Sequence, residues 1–368
     1  MAKSAKSAHL PPVVDLFAGA GGLSSGFAQA GFPVPFSTDN WETSCATHRL
    51  NHPDSEALCA DISAMTDADL RAAFGDARVV VGGPPCQGFS TSGKQLLDDP
   101  RNRLVGEYVR AIRVLEPDAF VMENVEGLAK FGGGQLVEEL RETFIGMGYS
   151  VDSRVVAASS YGVPQKRRRF VLLGSAKGEA RLPEPTHSAD TEDQLAPLRT
   201  FSDATSDLPL IGSGEESSKY RGAARNDFQH LMRENSAKLT LHKAASHREH
   251  MVKLMAYIPQ GKSAFDVSDQ IPKDLMPTSG FPNSYARFKP DEPAPTMTRN
   301  FTTPSSANCI HPHVDRALTL REGARIQTFP DDYEFAGNFG DIRLQIGNAV
   351  PPMLAAAVAG SVRSALGI

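Results

Sequence analysis

The chain has 368 residues, room for roughly two to three domains at ~150 residues each, and its 40% hydrophobic and 22% charged content excludes disordered, collagenous and coiled-coil classes. No apolar stretch reaches the ~18 residues of a membrane span and the opening residues MAKSAKSAHLPP lack the apolar block of a secretory signal, so a cytoplasmic protein with no membrane association is expected. The net charge of −5 argues against a polyanion partner for the chain as a whole, yet residues 219–262 hold nine Lys/Arg against three Asp/Glu, a basic island suited to phosphates.

Short apolar runs at 13–17, 34–37, 79–81, 119–122, 155–158 and 170–173 are interleaved with helical stretches at 67–74, 108–115 and 136–147. This rhythm predicts an α/β fold, a doubly wound, mainly parallel sheet with helices on both faces. From 188 to 304 the chain turns rich in Ser, Thr, Pro, Asn and Asp, with one helical candidate at 244–257, which predicts a smaller, loop-rich domain. Beyond it, Thr319 and Glu322 have the spacing of a capping box, and an apolar helix over 354–366 opens at Pro351-Pro352. The expected organisation is a first domain over 1–187, a second over 188–304, and a segment 305–368 that returns to complete the first. The four cysteines, Cys45, Cys59, Cys86 and Cys309, form no C-x-x-C pair, so neither a disulfide framework nor a zinc knuckle is expected.

The run VVDLF enters the glycine loop AGAGGL, so a buried strand opens a helix through residues whose backbone amides can approach a ligand closely. A P-loop lysine is absent, and Ser24 stands where the third dinucleotide glycine would be. Asp39 offers a carboxylate for ribose hydroxyls, Trp41 a flat ring for adenine, and Asp61 an acceptor for an adenine amino group. A nucleoside without a phosphate requirement fits these three, and S-adenosylmethionine is one. Cys86 lies in GGPPCQGFS, a Gly/Pro-stiffened loop after a strand, where a thiolate can be held exposed beside Gln87 and Ser90; the other three cysteines read as small buried fillers. Glu123, in MENV, ends another strand on the same sheet edge, where a partly buried carboxyl group can share a proton with a heterocyclic nitrogen. In QKRRR, strand periodicity puts Gln165, Arg167 and Arg169 on one face, able to reach a base, and Lys166 and Arg168 on the other, able to meet phosphates.

Taken in order, DLFAGAGGLSSGF, GGPPCQGFS, MENV, YGVPQKRRRF, LTLREGARIQTFPDDYEF and QIGNAVPP resemble the blocks of the C5-cytosine DNA methyltransferases of bacterial restriction-modification type. The long unmatched part, about residues 185–295, is where that family keeps its target-recognition domain. The resemblance implies a sequence-specific enzyme that moves a methyl group from S-adenosylmethionine to C5 of a cytosine flipped out of double-stranded DNA, through a covalent bond from Cys86 to C6. It implies that Glu123 engages cytosine N3 and that Arg167, with Arg169 nearby, orients the base. Phe17, Ala18, Gly19, Gly21, Gly22, Leu23 and Pro84 would line the methionine end of the cofactor, and Asp39 would bind the ribose. Asn40 or Trp41, with Ile62, would flank the adenine and Asp61 would bind its amino group, while Leu104, Asn348, Ala349 and Val350 would close the pocket. Residues 90–103 resemble the loop that folds over the flipped base. DNA contacts would come from Gln87, Ser90, Lys94, Arg101, Gln165, Lys166 and Arg168. The expected enzyme is a monomer without a metal, and any cognate restriction endonuclease acts separately; the pairs His311/His313 and His247/His250 lack a third ligand. Two departures stand out: the ribose carboxylate is Asp39 where Glu is commoner, and His48 stands where the family usually has Tyr. A transfer RNA methyltransferase of the same fold and a catalytically silent DNA-binding subunit are the competing readings.

Overall fold

The structure, a computed structural model, describes residues 10–85, 102–306 and 308–368. It divides into two compact units: one drawn from the described parts of Met1–Val156, Arg168–Glu184 and Leu354–Ile368, the other from Ala157–Arg167 and Pro185–Met353.

The first unit is built on seven strands, β1 (Val13–Leu16), β2 (Phe36–Asp39), β3 (Glu56–Cys59), β4 (Val79–Gly82), β5 (Ala119–Val125), β6 (Ser150–Ala157) and β7 (Arg168–Ser175), in the order β3-β2-β1-β4-β5-β7-β6. The five strands from β3 to β5 run parallel, and β7 is antiparallel to β5. Every residue of β1 (VVDL) and β4 (VVVG) is buried, as continuous apolar runs require when both sheet faces are covered. Helices α1 (Gly22–Gln29), α2 (Glu42–Asn51), α3 (Asp67–Phe74), α4 (Arg103–Leu115) and α5 (Gln135–Gly146) connect them. Leu70 and Phe74 of α3, Tyr108 and Ile112 of α4, and Leu140 and Phe144 of α5 share one core with Val14, Val80, Phe120 and Leu172 of the sheet. The strand order reverses between β1 and β4, and in open α/β sheets ligands bind outside the carboxyl ends of strands at that point.

The expected mainly parallel α/β sheet is present. The sequence reading passed over β3, because this exposed edge strand carries no two-sided apolar run, and set β2 two residues early.

The second unit holds α6 (Phe201–Thr205), α7 (Asp227–Arg233), α8 (Glu249–Ala256), α9 (Leu320–Ile326) and α10 (Phe339–Asn348). One helix was expected between 188 and 304. Short α6 and α7 lack the length to show apolar periodicity and are set by their caps, Thr200 with Asp203 and Asn226 respectively. The capping box of Thr319 and Glu322 is present at α9. Helices α9 and α10, expected in the segment 305–368 that returns to the first domain, pack within the second unit instead: Leu320, Ala324, Ile342 and Ile346 join Phe201, Phe288, Met297 and Phe301 in its core. Only α11 (Pro352–Leu366) extends into the first unit, where the Ser175 hydroxyl donates to the Ala365 carbonyl at 3.3 Å. The stretch Phe339–Leu366 has the length and hydropathy of a membrane span, but half of its apolar window is buried and Pro351-Pro352 divides it into α10 and α11.

A buried ionic cluster ties the second unit together. Asp331 accepts from Arg325 Nε and Nη2 at 2.6 Å each, from Tyr220 Oη at 2.7 Å and from Arg321 Nη1 at 3.3 Å, and Arg325 also reaches Asp207. Arg316 grips Glu322 with two bonds of 2.8 Å, both side chains almost wholly buried. The motif LTLREGARIQTFPDDYEF is thus a structural clamp: paired and hydrogen-bonded charges hold segments far apart in sequence.

Candidate active site

At the carboxyl end of β1 the chain turns through Phe17, Gly19 and Gly21, all with positive φ, and Gly21 caps α1. Phe17 at φ 60° is a strained choice for a bulky residue, a feature that clusters at ligand sites. The Gly19 amide donates to Asp39 Oδ2 at 2.9 Å, while Asp39 Oδ1 accepts from the Trp41 amide at 2.9 Å and the Ser44 hydroxyl at 3.1 Å. Asp39, at the end of β2, is therefore oriented onto the glycine loop. A side chain added at Gly19 would meet nothing within 4 Å, so that backbone faces open space. Beyond β3, Asp61 Oδ1 accepts from the Ser63 hydroxyl and amide, which hold its carboxyl below the usual range, and Ile62 beside it is buried. Trp41 and Leu104 are half-buried; Asn40 is exposed.

The carboxyl end of β4 is bound to β1 and β5. A Cβ on Gly82 would fall 2.6 Å from the Leu16 carbonyl oxygen, so only glycine permits this approach of neighbouring strands. A Cβ on Gly83 would sit 3.3 Å from Glu123 Oε2, and the Asn124 amide donates to the Pro84 carbonyl at 2.8 Å. The Gly83-Pro84 segment thus leans on the end of β5. There Glu123 Oε1 meets Arg169 Nε at 2.8 Å, and both side chains are nearly buried. Cys86, Gln87, Ser90, Lys94 and Arg101 lie outside the described residues.

The burial of the QKRRR segment alternates as strand periodicity requires: Gln165 and Arg167 are buried and Arg169 nearly so, while Lys166 and Arg168 are exposed. The two inward residues of the second unit are committed to holding it together. Arg167 donates to the carbonyls of Met297 at 3.1 Å, Gly347 at 3.3 Å and Asn348 at 3.4 Å. Gln165 accepts from the Met297 amide and donates to Gln327, both at 2.8 Å. Gln165, expected among the DNA contacts, is fully buried, so its amide serves packing. Of the two arginines expected at the base, Arg169 is the one on Glu123. Outward-facing Lys166 pairs with Glu292 at 2.5 Å and Arg168 with Glu126 at 3.1 Å. Asn348 is exposed at the end of α10, and Ala349 and Val350 are half-buried after it; all three belong to the second unit.

The family model for C-5 cytosine-specific DNA methylase matches residues 12–364. The chain belongs to that family. Among its relatives are the Type II methyltransferase M1.HphI of Haemophilus parahaemolyticus, 37% identical with 95% of this chain and 86% of the relative covered, and M.DdeI of Desulfomicrobium norvegicum, 37% identical over 94% and 87%. A solved structure described as a DNA modification methyltransferase encoded within an E. coli prophage superposes with a TM-score of 0.77 at 25% identity, covering 97% of this chain and all of that one. The S. pombe Dnmt2 methyltransferase shares the fold, with a TM-score of 0.61 at 17% identity and 97% of this chain covered.

In this methylase two of the remaining cysteines suit a filler role: burial pushes the Cys45 thiol up to about 12 while it donates to the Asp39 carbonyl, and Cys309 is buried against the Thr303 carbonyl; Cys59, expected to be a buried filler too, is only half-buried because it ends the edge strand β3. The ring of His311 lies 3.6 Å from Glu322 and His247 accepts from the Ala317 amide, so both serve the fold. The sequence reading missed two supports of the candidate site. One is Asn124, whose signal was its place directly after Glu123. The other is Asp15, wholly buried in β1, which accepts from the Ser24 amide at 3.0 Å and hydroxyl at 2.6 Å.

Burial raises the Asp15 carboxyl from 3.8 to about 7, against the lowering effect of the Ser24 bonds. Between those values the folded state holds a proton that the unfolded chain has lost, so rising pH costs stability across this window, and the full penalty, on the order of 4 kcal/mol, is present above pH 7. Asp15→Asn removes this dependence. Its stability relative to the parent is expected to rise from pH 5 to pH 8, as read by urea unfolding; a constant difference would show that Asp15 ionises freely.

Proposed function

We propose that this methylase acts on double-stranded DNA at a short specific sequence, using S-adenosylmethionine as methyl donor and Cys86 as covalent nucleophile, within a bacterial restriction-modification setting whose endonuclease acts separately. The observation that carries this reading is the packing of Gly83-Pro84, two residues ahead of Cys86, against a Glu123 already paired with Arg169. That arrangement brings the approach to a nucleophile, a proton-sharing carboxyl and a fixed cation to one sheet edge.

The glycine loop suits the cofactor. Its Gly19 backbone is open, Asp39 is oriented beside it for ribose hydroxyls, and Asp61 stands beyond β3 for an adenine amino group. Phe17, Ala18, Gly21, Gly22, Leu23 and Pro84 would line the methionine end, Ile62 and Trp41 or Asn40 the adenine, and Leu104 the rest. When bound, S-adenosylmethionine supplies an electrophilic methyl group.

The chain's own residues prepare the base. Cytosine C5 is too weak a nucleophile alone, so the Cys86 thiolate adds at C6 and the electron pair of the C5–C6 bond moves to make C5 nucleophilic. Glu123 shares a proton with N3 and stabilises the charge that develops, while Arg169 holds Glu123 in place. After methylation a base removes the C5 proton, the C5–C6 double bond reforms and the thiolate leaves. The target must be flipped from the duplex to reach this edge, at a cost of a few kcal/mol that phosphate contacts offset.

The test is a duplex oligonucleotide carrying 5-fluorocytosine at the target, incubated with the methyl donor. Fluorine cannot leave as a proton does, so a denaturant-resistant protein–DNA adduct is expected, and its absence overturns the covalent route; a transfer RNA substrate in parallel separates DNA from RNA action. Outward-facing Lys166 and Arg168 are assigned to phosphates. Replacing both with alanine is expected to weaken binding on all sequences alike and to reduce the salt slope by about 2, as measured by titration at several salt concentrations. Loss confined to one sequence would make them base readers.

A further inference from the structure

Beneath the glycine loop lies a buried chain of polar side chains drawn from four elements. Asp15 of β1 takes the Ser24 hydroxyl at 2.6 Å, Ser24 Oγ lies 2.9 Å from His48 Nε2, and His48 Nδ1 lies 3.3 Å from the Ser37 hydroxyl of β2. Asp15, Ser24, Ser37 and His48 are all at most 1% exposed. A parallel branch runs through α1 and α2: Ser25 donates to the Gly21 carbonyl at 2.7 Å and lies 3.2 Å from His52 Nε2, whose ring is 4.5 Å from that of His48. The branch ends on the Gly21 carbonyl and the chain passes through Ser24 in the first turn of α1, so both meet the start of that helix.

Above about pH 7, where Asp15 is ionised, the donors and acceptors admit one proton order. A carboxylate only accepts, so the Ser24 hydroxyl donates to it and Ser24 Oγ must accept from His48 Nε2–H. The other nitrogen, Nδ1, then accepts from Ser37. Burial holds His48 at about 3, so it is neutral over the working range and can serve as donor at one nitrogen and acceptor at the other.

We infer that His48, backed by Ser37, is a positioning residue for the cofactor loop: its imidazole orders the protons through Ser24 to Asp15 and so holds the 17–22 backbone in the conformation that receives the methyl donor. This inference rests on the S-adenosylmethionine reading above.

Steady-state kinetics on the full chain at pH 8, where Asp15 is ionised, tests it. In His48→Phe, which keeps a ring and removes both nitrogens, KM for S-adenosylmethionine is expected to rise about tenfold with kcat within about twofold, the size of one lost buried hydrogen-bond link. His48→Gln, whose amide can donate to Ser24, should restore KM to within about threefold, and Ser37→Ala, which perturbs packing least, should raise KM by about two- to threefold. Unchanged KM in His48→Phe, or in Ser37→Ala where His48→Phe fails to fold, overturns the proposal. So does a fall in kcat that parallels melting temperature with no rescue by glutamine, which would mark His48 as structural only. Absence of S-adenosylmethionine binding by the parent chain in equilibrium dialysis would instead overturn the cofactor reading itself, and the proposal with it.

Discussion

Replacing Cys86 with alanine is expected to lower methyl transfer to duplex DNA by ~10⁴-fold or more while leaving specific DNA binding within a few-fold of the parent. The size follows from the chemistry: without a sulfur at C6 the ring keeps its aromatic stabilisation and C5 never gains the electron density to attack a methyl group. Cys45, which donates to the Asp39 carbonyl beside the glycine loop, is buried with its thiol pushed up to about 12 and so cannot supply a thiolate. Binding is expected to be spared because the phosphate contacts proposed above use other side chains, and because the Glu123–Arg169 pair and the Asn124–Pro84 bond are untouched. Radiolabelled methyl transfer beside a gel-shift titration checks both halves. Turnover within tenfold of the parent would remove Cys86 from the mechanism.

Asp331→Ala is expected to destabilise the protein by about 3–5 kcal/mol, the usual cost of leaving a buried charge without its partner. Asp331 is fully buried and neutralises two fully buried guanidiniums, those of Arg321 and Arg325, besides receiving the Tyr220 hydroxyl. With the carboxylate gone, Arg325 keeps Asp207, but Arg321 retains only neutral oxygens, at Thr240 and Pro330 and in the residue 331 backbone. For a unit of this size a loss of that order lowers the melting temperature by roughly 10 °C, and the transition assigned to the second unit should move most. The surface pair Arg181–Glu179 provides the control, since an exposed ion pair is worth about 0–1 kcal/mol. A shift in Asp331→Ala no larger than that control would show the cluster to be dispensable.

The site was legible in sequence wherever chemistry demands a residue type at a strand end. Asp39, Glu123 and the glycine loop could be placed at strand ends because a parallel sheet delivers the carboxyl ends of successive strands to one edge, so the residue that follows each apolar run reveals its own address. What was not legible were roles decided by side chains that meet across the fold. Arg167 and Arg169 have the same chemistry and the same strand face, yet one spends its guanidinium on backbone carbonyls and the other reaches Glu123. Nothing in the spacing of QKRRR separates them. The same holds for Gln165, polar in sequence yet wholly buried.

The boundaries of the two units show the division most clearly. Composition and local pattern by themselves determined that an α/β sheet occupies the first half, that a loop-rich stretch follows, and that helices resume near Thr319, because strand periodicity, turn residues and capping boxes are properties of neighbours in the chain. Only tertiary structure decided that α9 and α10 go with the second unit while α11 extends into the first. Their apolar faces are equally ready to pack on any core, and the choice falls to partners more than a hundred residues away, such as Phe201 against Leu320 and Asp207 against Arg325. Burial of apolar surface has no direction of its own, so a helix knows that it must pack but learns where from the shape and charge of what it meets.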